Sequence, residues 1–191
     1  MGGTFDPIHI GHLVAAEEAL SQYGLDEVVF IPAGSPWMKD HAVAAPSEDR
    51  YMMTFAAIAS NPDFSVSRME IEREGATHTI DTLRRLHEER GEDTELFFIT
   101  GADAVLELPE WKEPEEVLRL ARVIAATRPG YDLSALEEGG SAHHLNVSVM
   151  LVPALAISST DIRARAKEGK PIRYLVTDPV VDYIAKAGLY R

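Results

Sequence analysis

Two histidines three residues apart follow a pair of glycines in Gly2-Gly3-Thr4-Phe5-Asp6-Pro7-Ile8-His9-Ile10-Gly11-His12. Glycine lets the main chain approach a ligand closely, and a helix start presents free N–H groups, so this segment suits an anion. The spacing of His9 and His12 brings both imidazoles to one side of a helix start, where ring N–H groups can donate to phosphate oxygens. Neither a GxGxxG fingerprint nor the Gly-Lys-Ser ending of a P-loop is present. A metal pair and a capping or packing arrangement are the alternatives for the two histidines, although no third ligand in an HExxH-like pattern lies nearby.

A second segment combines hydroxyls with a cation: Ile157-Ser158-Ser159-Thr160-Asp161-Ile162-Arg163. Ser158 with Asp161 forms a capping-box-like pattern, which accounts for the serine without any ligand. It does not account for Arg163, because a cation on the first turn opposes the helix dipole unless an anion offsets it.

Periodicity supplies the elements that must carry these segments. Helical apolar spacing covers residues 12–23, closed by Gly24, and a β-rich run Val28 to Ile31 follows. Ser47, as cap, with Glu48 and Asp49 opens a helix that ends at Asn61-Pro62; a strand is expected from Phe64 to Ile71. Ile80, Leu83 and Leu86 mark another helix. Leu96 to Ile99 is a run suited to a strand buried on both faces. A helix over Glu113 to Leu120 and a strand over Val123 to Ala126 come next. A polar loop spans residues 130–144, followed by a strand from Val147 and helices Ser159 to Lys167 and Pro179 to Ala187. Helices alternating with apolar runs define an α/β class, a Rossmann-like doubly wound parallel sheet with helices on both faces, in one domain over 1–191. Such a sheet ordinarily opens with a strand that feeds its first ligand loop. Here Gly2-Gly3 directly follow Met1, so the first strand is expected to be truncated, and a longer natural chain with a β-rich segment upstream is the corresponding expectation.

The chain has 191 residues, 18 Lys and Arg against 31 Asp and Glu, a formal charge of −13, and no cysteine. An acidic surface repels nucleic-acid backbones and anionic headgroups, so neither nucleic acid nor membrane is expected as a partner. The absence of cysteine excludes thiolate metal sites and thiol nucleophiles, and with no signal-like N-terminus a cytoplasmic location is the simplest expectation. The longest apolar stretch, Val147 to Ile157, is interrupted by Pro153 and is shorter than the ~20 residues of a membrane span. A homo-oligomer is compatible with this composition.

Together, the histidine and the Ser-Ser-Thr segments resemble the HxGH and ISSTxxR elements of the nucleotidylyltransferase superfamily, and most closely the bacterial nicotinate-nucleotide adenylyltransferases. Ala76 to Leu83 is similar to that family's substrate loop, with His78 where an aromatic is common. Gly101-Ala102-Asp103 with Trp111 resembles its GxD…W stretch, and Thr127-Arg128-Pro129-Gly130-Tyr131 its RPGY turn. The resemblance implies adenylyl transfer from ATP to nicotinate mononucleotide in NAD biosynthesis. It assigns His9, His12 and Arg163 to catalysis and Gly2, Gly3, Thr4, Phe5, Gly11, His12, Gly101, Asp103, Ser158, Ser159, Thr160 and Arg163 to ATP. It assigns Lys39, Thr79, Ile80, Trp111 and Lys112 to nicotinate mononucleotide, while Mg²⁺ would ride on the ATP phosphates rather than on protein side chains. Trp111 as core packing and Asp103 as a helix cap are the structural alternatives. A sister enzyme such as a phosphopantetheine adenylyltransferase, or a non-catalytic nucleotide-binding protein, are the competing functions.

Overall fold

The computed structural model describes residues 1–35, 44–91, 93–127, 146–153 and 155–191. Its elements are β1 (Gly2–Gly3), α1 (Ile10–Tyr23), β2 (Val28–Pro32), α2 (Ser47–Ile58), β3 (Phe64–Val66), α3 (Thr79–Arg90), β4 (Phe97–Gly101), α4 (Ala102–Leu106), α5 (Pro114–Leu120), β5 (Arg122–Thr127), β6 (Val147–Leu151), α6 (Ser159–Lys167) and α7 (Asp178–Ala187). All strand pairs are parallel, in two halves ordered β1-β2-β3 and β4-β5-β6. The halves meet where β1 lies against β4. That contact is tight: a Cβ on Gly2 would stand 3.0 Å from the Phe98 ring. The strand order therefore reverses at β1, which makes the crevice beyond the carboxyl ends of β1 and β4 the place where a doubly wound sheet receives ligands.

Alternation along β5 shows how both faces are covered. Val123 and Ala125 pack with Ile80 and Leu83 of α3 and Val117 of α5. Ile124, between them, packs with Ala16 and Ala19 of α1, Ile162 of α6 and Val180 and Ile184 of α7. Successive strand residues thus enter opposite cores, which is why these runs are apolar throughout instead of alternating with polar residues.

Two expectations need correction, while the truncated first strand is borne out: Gly2 and Gly3 alone form it, in register with Ile31 and Pro32. Met1 extends the pairing, since its amino group donates to Val29 O at 2.7 Å and its carbonyl accepts from Ile31 N at 2.9 Å. The strand at Phe64 stops at Val66, well before Ile71. Ser47 does not cap α2; the cap position falls on Pro46, which has no side-chain donor or acceptor, and the N–H groups of Ala44 and Ala45 just upstream go to the Asp6 carboxylate instead.

At the amino ends of the strands, a cavity of about 570 Å³ separates Val28 and Val29 of β2 from Phe97 and Ile99 of β4, with Met1 at its edge. Burial drives the Met1 amino group down from 8.0 to about 5, leaving it uncharged at neutral pH. Its contribution to stability is complete above pH 8 and is lost as the pH falls toward 5. A four- or five-residue β-branched extension before Met1 should fill this cavity and replace the amine with a peptide N–H. Each buried Val or Ile is worth about 1.5–3 kcal/mol before ordering costs, and about 1 kcal/mol moves Tm by about 2–4 °C in a chain of this size. Thermal melts of both forms should show a Tm several degrees higher in the extended chain and a weaker pH dependence between 8 and 5; identical melts would exclude strand completion there.

Candidate active site

At the opposite, carboxyl, ends of the strands lies a cavity of about 660 Å³. The twelve residues assigned above to ATP all line it: Gly2, Gly3, Thr4, Phe5, Gly11, His12, Gly101, Asp103, Ser158, Ser159, Thr160 and Arg163. His9, Asp6 and Thr127 join them. The starts of α1 and α6 both open onto this space, so two sets of helix N–H groups and two positive dipole ends converge on it.

The loop from β1 to α1 is shaped by packing as much as by any ligand. A Cβ on Gly3 would lie 2.9 Å from the Phe5 ring, so the glycine admits an aromatic side chain of its own loop. Phe5 is held at φ 50°, a left-handed conformation costly for a residue with a Cβ, and its ring meets His12 edge-on at 5.1 Å. His9 is the cap residue of α1, and its N–H donates to His12 Nδ1 at 3.1 Å. The two imidazoles stack, with centroids 3.6 Å apart. Gly11 permits this as well, because a Cβ there would come within 3.1 Å of His9 Nδ1. The capping alternative for the histidines is therefore real, and it coexists with their position on the cavity wall. Among the described residues no group of three His, Cys, Asp or Glu side chains is placed to hold a metal ion.

On the facing side, Ser158 caps α6 by accepting from Asp161 N at 3.1 Å. Ser159 Oγ donates to Pro7 O at 2.9 Å, which ties the two segments together across 152 positions. Arg163 donates to Asp6 O at 2.7 Å and to Thr160 Oγ1 at 3.3 Å, and lies 3.8 Å from the Asp6 carboxylate. Arg163 is the fifth residue of α6, in its second turn rather than its first, and Asp6 offsets its charge without any bound anion.

Sequence reasoning overlooked three residues that set this geometry. Asp6 is 2% exposed, and its carboxylate accepts from Ala44 N, Ala45 N and the Tyr190 hydroxyl. Arg50 is 1% exposed and gives its guanidinium to the carbonyls of Thr4, Gly34 and Ala45. Tyr190 comes from the far end of the chain. The one available signal was an Arg a turn before the apolar residues Met53, Ala57 and Ile58, since a charge on the buried face of α2 demands partners.

Thr79, Ile80, Trp111 and Lys112, assigned to the second substrate, are not on this cavity wall. Thr79 and Ile80 open α3, with Ile80 fully buried. Lys112 pairs with Asp81 of the same turn at 3.2 Å. Trp111 packs edge-on against Phe98, 5.7 Å between centroids, and is part of the core under α3 and α5. The packing alternative for Trp111 thus holds in this conformation, although its Nε1 is buried with no partner among the described residues. Lys39 and Arg128 to Tyr131 lie outside the described residues.

A family model described as cytidylyltransferase-like matches residues 1–165, and the chain belongs to that family. It is 55% identical over 191 residues to the "Probable nicotinate-nucleotide adenylyltransferase" of Salinispora arenicola, covering all of both chains. An equally named protein of Streptomyces coelicolor is also 55% identical, over all of this chain and 99% of that one. Within the family, the chain therefore belongs with the nicotinate-nucleotide adenylyltransferases. The fold agrees with the solved structure of Plasmodium falciparum nicotinic acid mononucleotide adenylyltransferase complexed with NaAD, at a TM-score of 0.78 and 21% identity over 99% of this chain and 94% of that one.

Burial lowers His9 from 6.5 to about 4, so the ring is neutral at pH 7. The stability tied to this neutral ring is complete above pH 6.5 and is lost as the pH falls toward 4, a total of about 3 kcal/mol. Denaturation curves of wild type and His9→Asn, compared between pH 7 and 4, should converge by roughly that amount; parallel curves would show that His9 titrates as in the unfolded chain.

Proposed function

We infer that this protein transfers the adenylyl group of ATP to nicotinate mononucleotide, giving nicotinate adenine dinucleotide and pyrophosphate. The observation that carries the reading is the convergence of all twelve ATP-assigned residues on one cavity at the point where the strand order reverses. Full-length relatedness to proteins of that name supports it.

A 5′-phosphate oxygen of the mononucleotide attacks the α-phosphorus of ATP. The bond from that phosphorus to the bridging β-oxygen breaks, and the electron pair leaves on pyrophosphate. The nucleophile is already ionised, so the chain needs no strong base; it must align two anions and stabilise charge that builds on the leaving group. Helix starts α1 and α6 supply oriented N–H donors, His12 donates near the reacting phosphate, and Arg163 faces the outer phosphates. The neutral His9 serves as a hydrogen-bond donor rather than a charge.

Magnesium would contribute further neutralisation of the pyrophosphate. The donor set fits an ion carried by the triphosphate, because the Asp6 carboxylate is already occupied by Ala44, Ala45 and Tyr190. Trp111 and the start of α3, with Thr79, Ile80 and Lys112, would receive the pyridine ring and its carboxylate, with Lys39 on the mononucleotide phosphate. We place the reaction in the cytoplasm, in keeping with a chain free of cysteine. Among the described residues no helix is long and apolar enough to cross a membrane.

Product analysis with ATP and either nicotinate mononucleotide or 4′-phosphopantetheine tests the reading directly: only the first should yield a dinucleotide, and product from the second alone would replace it with the sister activity. His12→Ala should lower kcat by about 10²-fold or more, as a preorganised donor is lost, at a stability cost of about 1 kcal/mol from the missing cap. Unchanged kcat in folded protein would leave His12 a purely structural cap. Trp111→Ala should raise KM for nicotinate mononucleotide about 10-fold with KM for ATP unchanged. Both constants rising together with a lower Tm would mark Trp111 as core.

A further inference from the structure

Tyr190 follows α7 and the Gly188 that ends it, and its backbone is left-handed at φ 62°. Such a conformation is unfavourable for a residue with a Cβ and persists where surrounding contacts impose it. The contact here is long-range: the Tyr190 hydroxyl donates to Asp6 Oδ1 at 2.7 Å, 184 positions away. The same carboxylate accepts from Ala45 N at 3.1 Å and Ala44 N at 2.7 Å, and the Arg163 guanidinium lies 3.8 Å from Oδ2. Arg163 is instead engaged with the main-chain carbonyl of the same Asp6, at 2.7 Å, and keeps its side chain 22% exposed on the cavity wall.

Buried carboxylates recruit whatever donors lie within reach, and a guanidinium is the strongest donor available to this one. We propose that Tyr190 is a positioning residue for the ATP site, its hydroxyl occupying the Asp6 carboxylate so that Arg163 stays on the main-chain carbonyl and faces the cavity. Without the hydroxyl, Asp6 Oδ1 keeps a single donor and the carboxylate draws the guanidinium inward. The arrangement also makes the hydroxyl a committed donor, since burial and the bond to Asp6 hold Tyr190 far above the ordinary tyrosine range. Nothing in this mechanism requires Tyr190 to touch a substrate.

The inference rests on ATP being the ligand of the cavity, and the test measures ATP binding by calorimetry without the second substrate. Tyr190→Phe should weaken ATP binding about 10-fold in the wild-type background. In an Arg163→Ala background, which is itself weakened, adding Tyr190→Phe should change affinity by less than about two-fold, because the residue through which Tyr190 acts is gone. Placing 4-aminophenylalanine at 190 restores a donor on the same ring and should return affinity to within about two-fold of wild type; it also provides a folded comparison if the Phe variant melts early. Equal losses in both backgrounds, no loss in folded Tyr190→Phe, or failure of 4-aminophenylalanine to restore binding would overturn the proposal. Wild-type protein that binds no ATP would instead overturn the reading of the cavity itself.

Discussion

A single buried cation, Arg50, holds the ligand end of the sheet in place. Three loops must meet there: the one leaving β1, the one leaving β2, and the approach to α2. Each contributes a carbonyl to the same guanidinium, from Thr4, Gly34 and Ala45. A desolvated charge of this kind stabilises only when its donors are satisfied, and removing one partner of such an arrangement typically costs about 3–5 kcal/mol. Burial pulls Arg50 below the ordinary arginine range while the nearby Asp6 pushes back. The planar fork suits three carbonyls in different directions, which a lysine could not match.

Asp6 performs the reciprocal task with an anion. Its donors are main-chain N–H groups, a phenol and, at greater distance, Arg163, so its negative charge is absorbed by the protein and is not displayed to the cavity. This matters in a chain of formal charge −13, where an anionic ligand would otherwise meet repulsion. Helix starts, the neutral His9 ring, the His12 ring and one guanidinium then make a locally favourable place for phosphates. The acidic composition and the phosphate site are compatible because Asp6, the buried acid on the cavity wall, is already spoken for.

The sheet, its parallel sense and its helices were legible because they depend on local apolar spacing; β4 to β6 and α6 fall within a residue or two of their expected bounds. The two ligand segments were legible for a similar reason, since each is a contiguous stretch with the chemistry written in residue type. What escaped were features made by residues distant in the chain. Nothing near Ser47 announces that Asp6 takes over the N–H groups ahead of α2, and nothing near Tyr190 announces Asp6. The partner of Arg163 was hidden in the same way, because Asp6 sits 157 positions earlier. Trp111 shows a further limit: composition cannot distinguish a ring that packs on Phe98 from one that waits for a flat substrate, and one side chain can do both in turn.

Contacts of such span govern when during its life the molecule becomes competent. Domains begin to organise from the N-terminal side while the ribosome is still adding residues at about 5–20 per second. The glycine loop is therefore among the first parts to leave the exit tunnel, yet Ser159, Arg163 and finally Tyr190 must emerge before it takes its finished shape. A nascent chain can build the β2–β3 half and still offer phosphates no completed cradle. The same dependence makes the tail a sensitive place to attach anything: a fusion or proteolytic nick beyond α7 lies far from the ligand in sequence but only one hydroxyl away from Asp6.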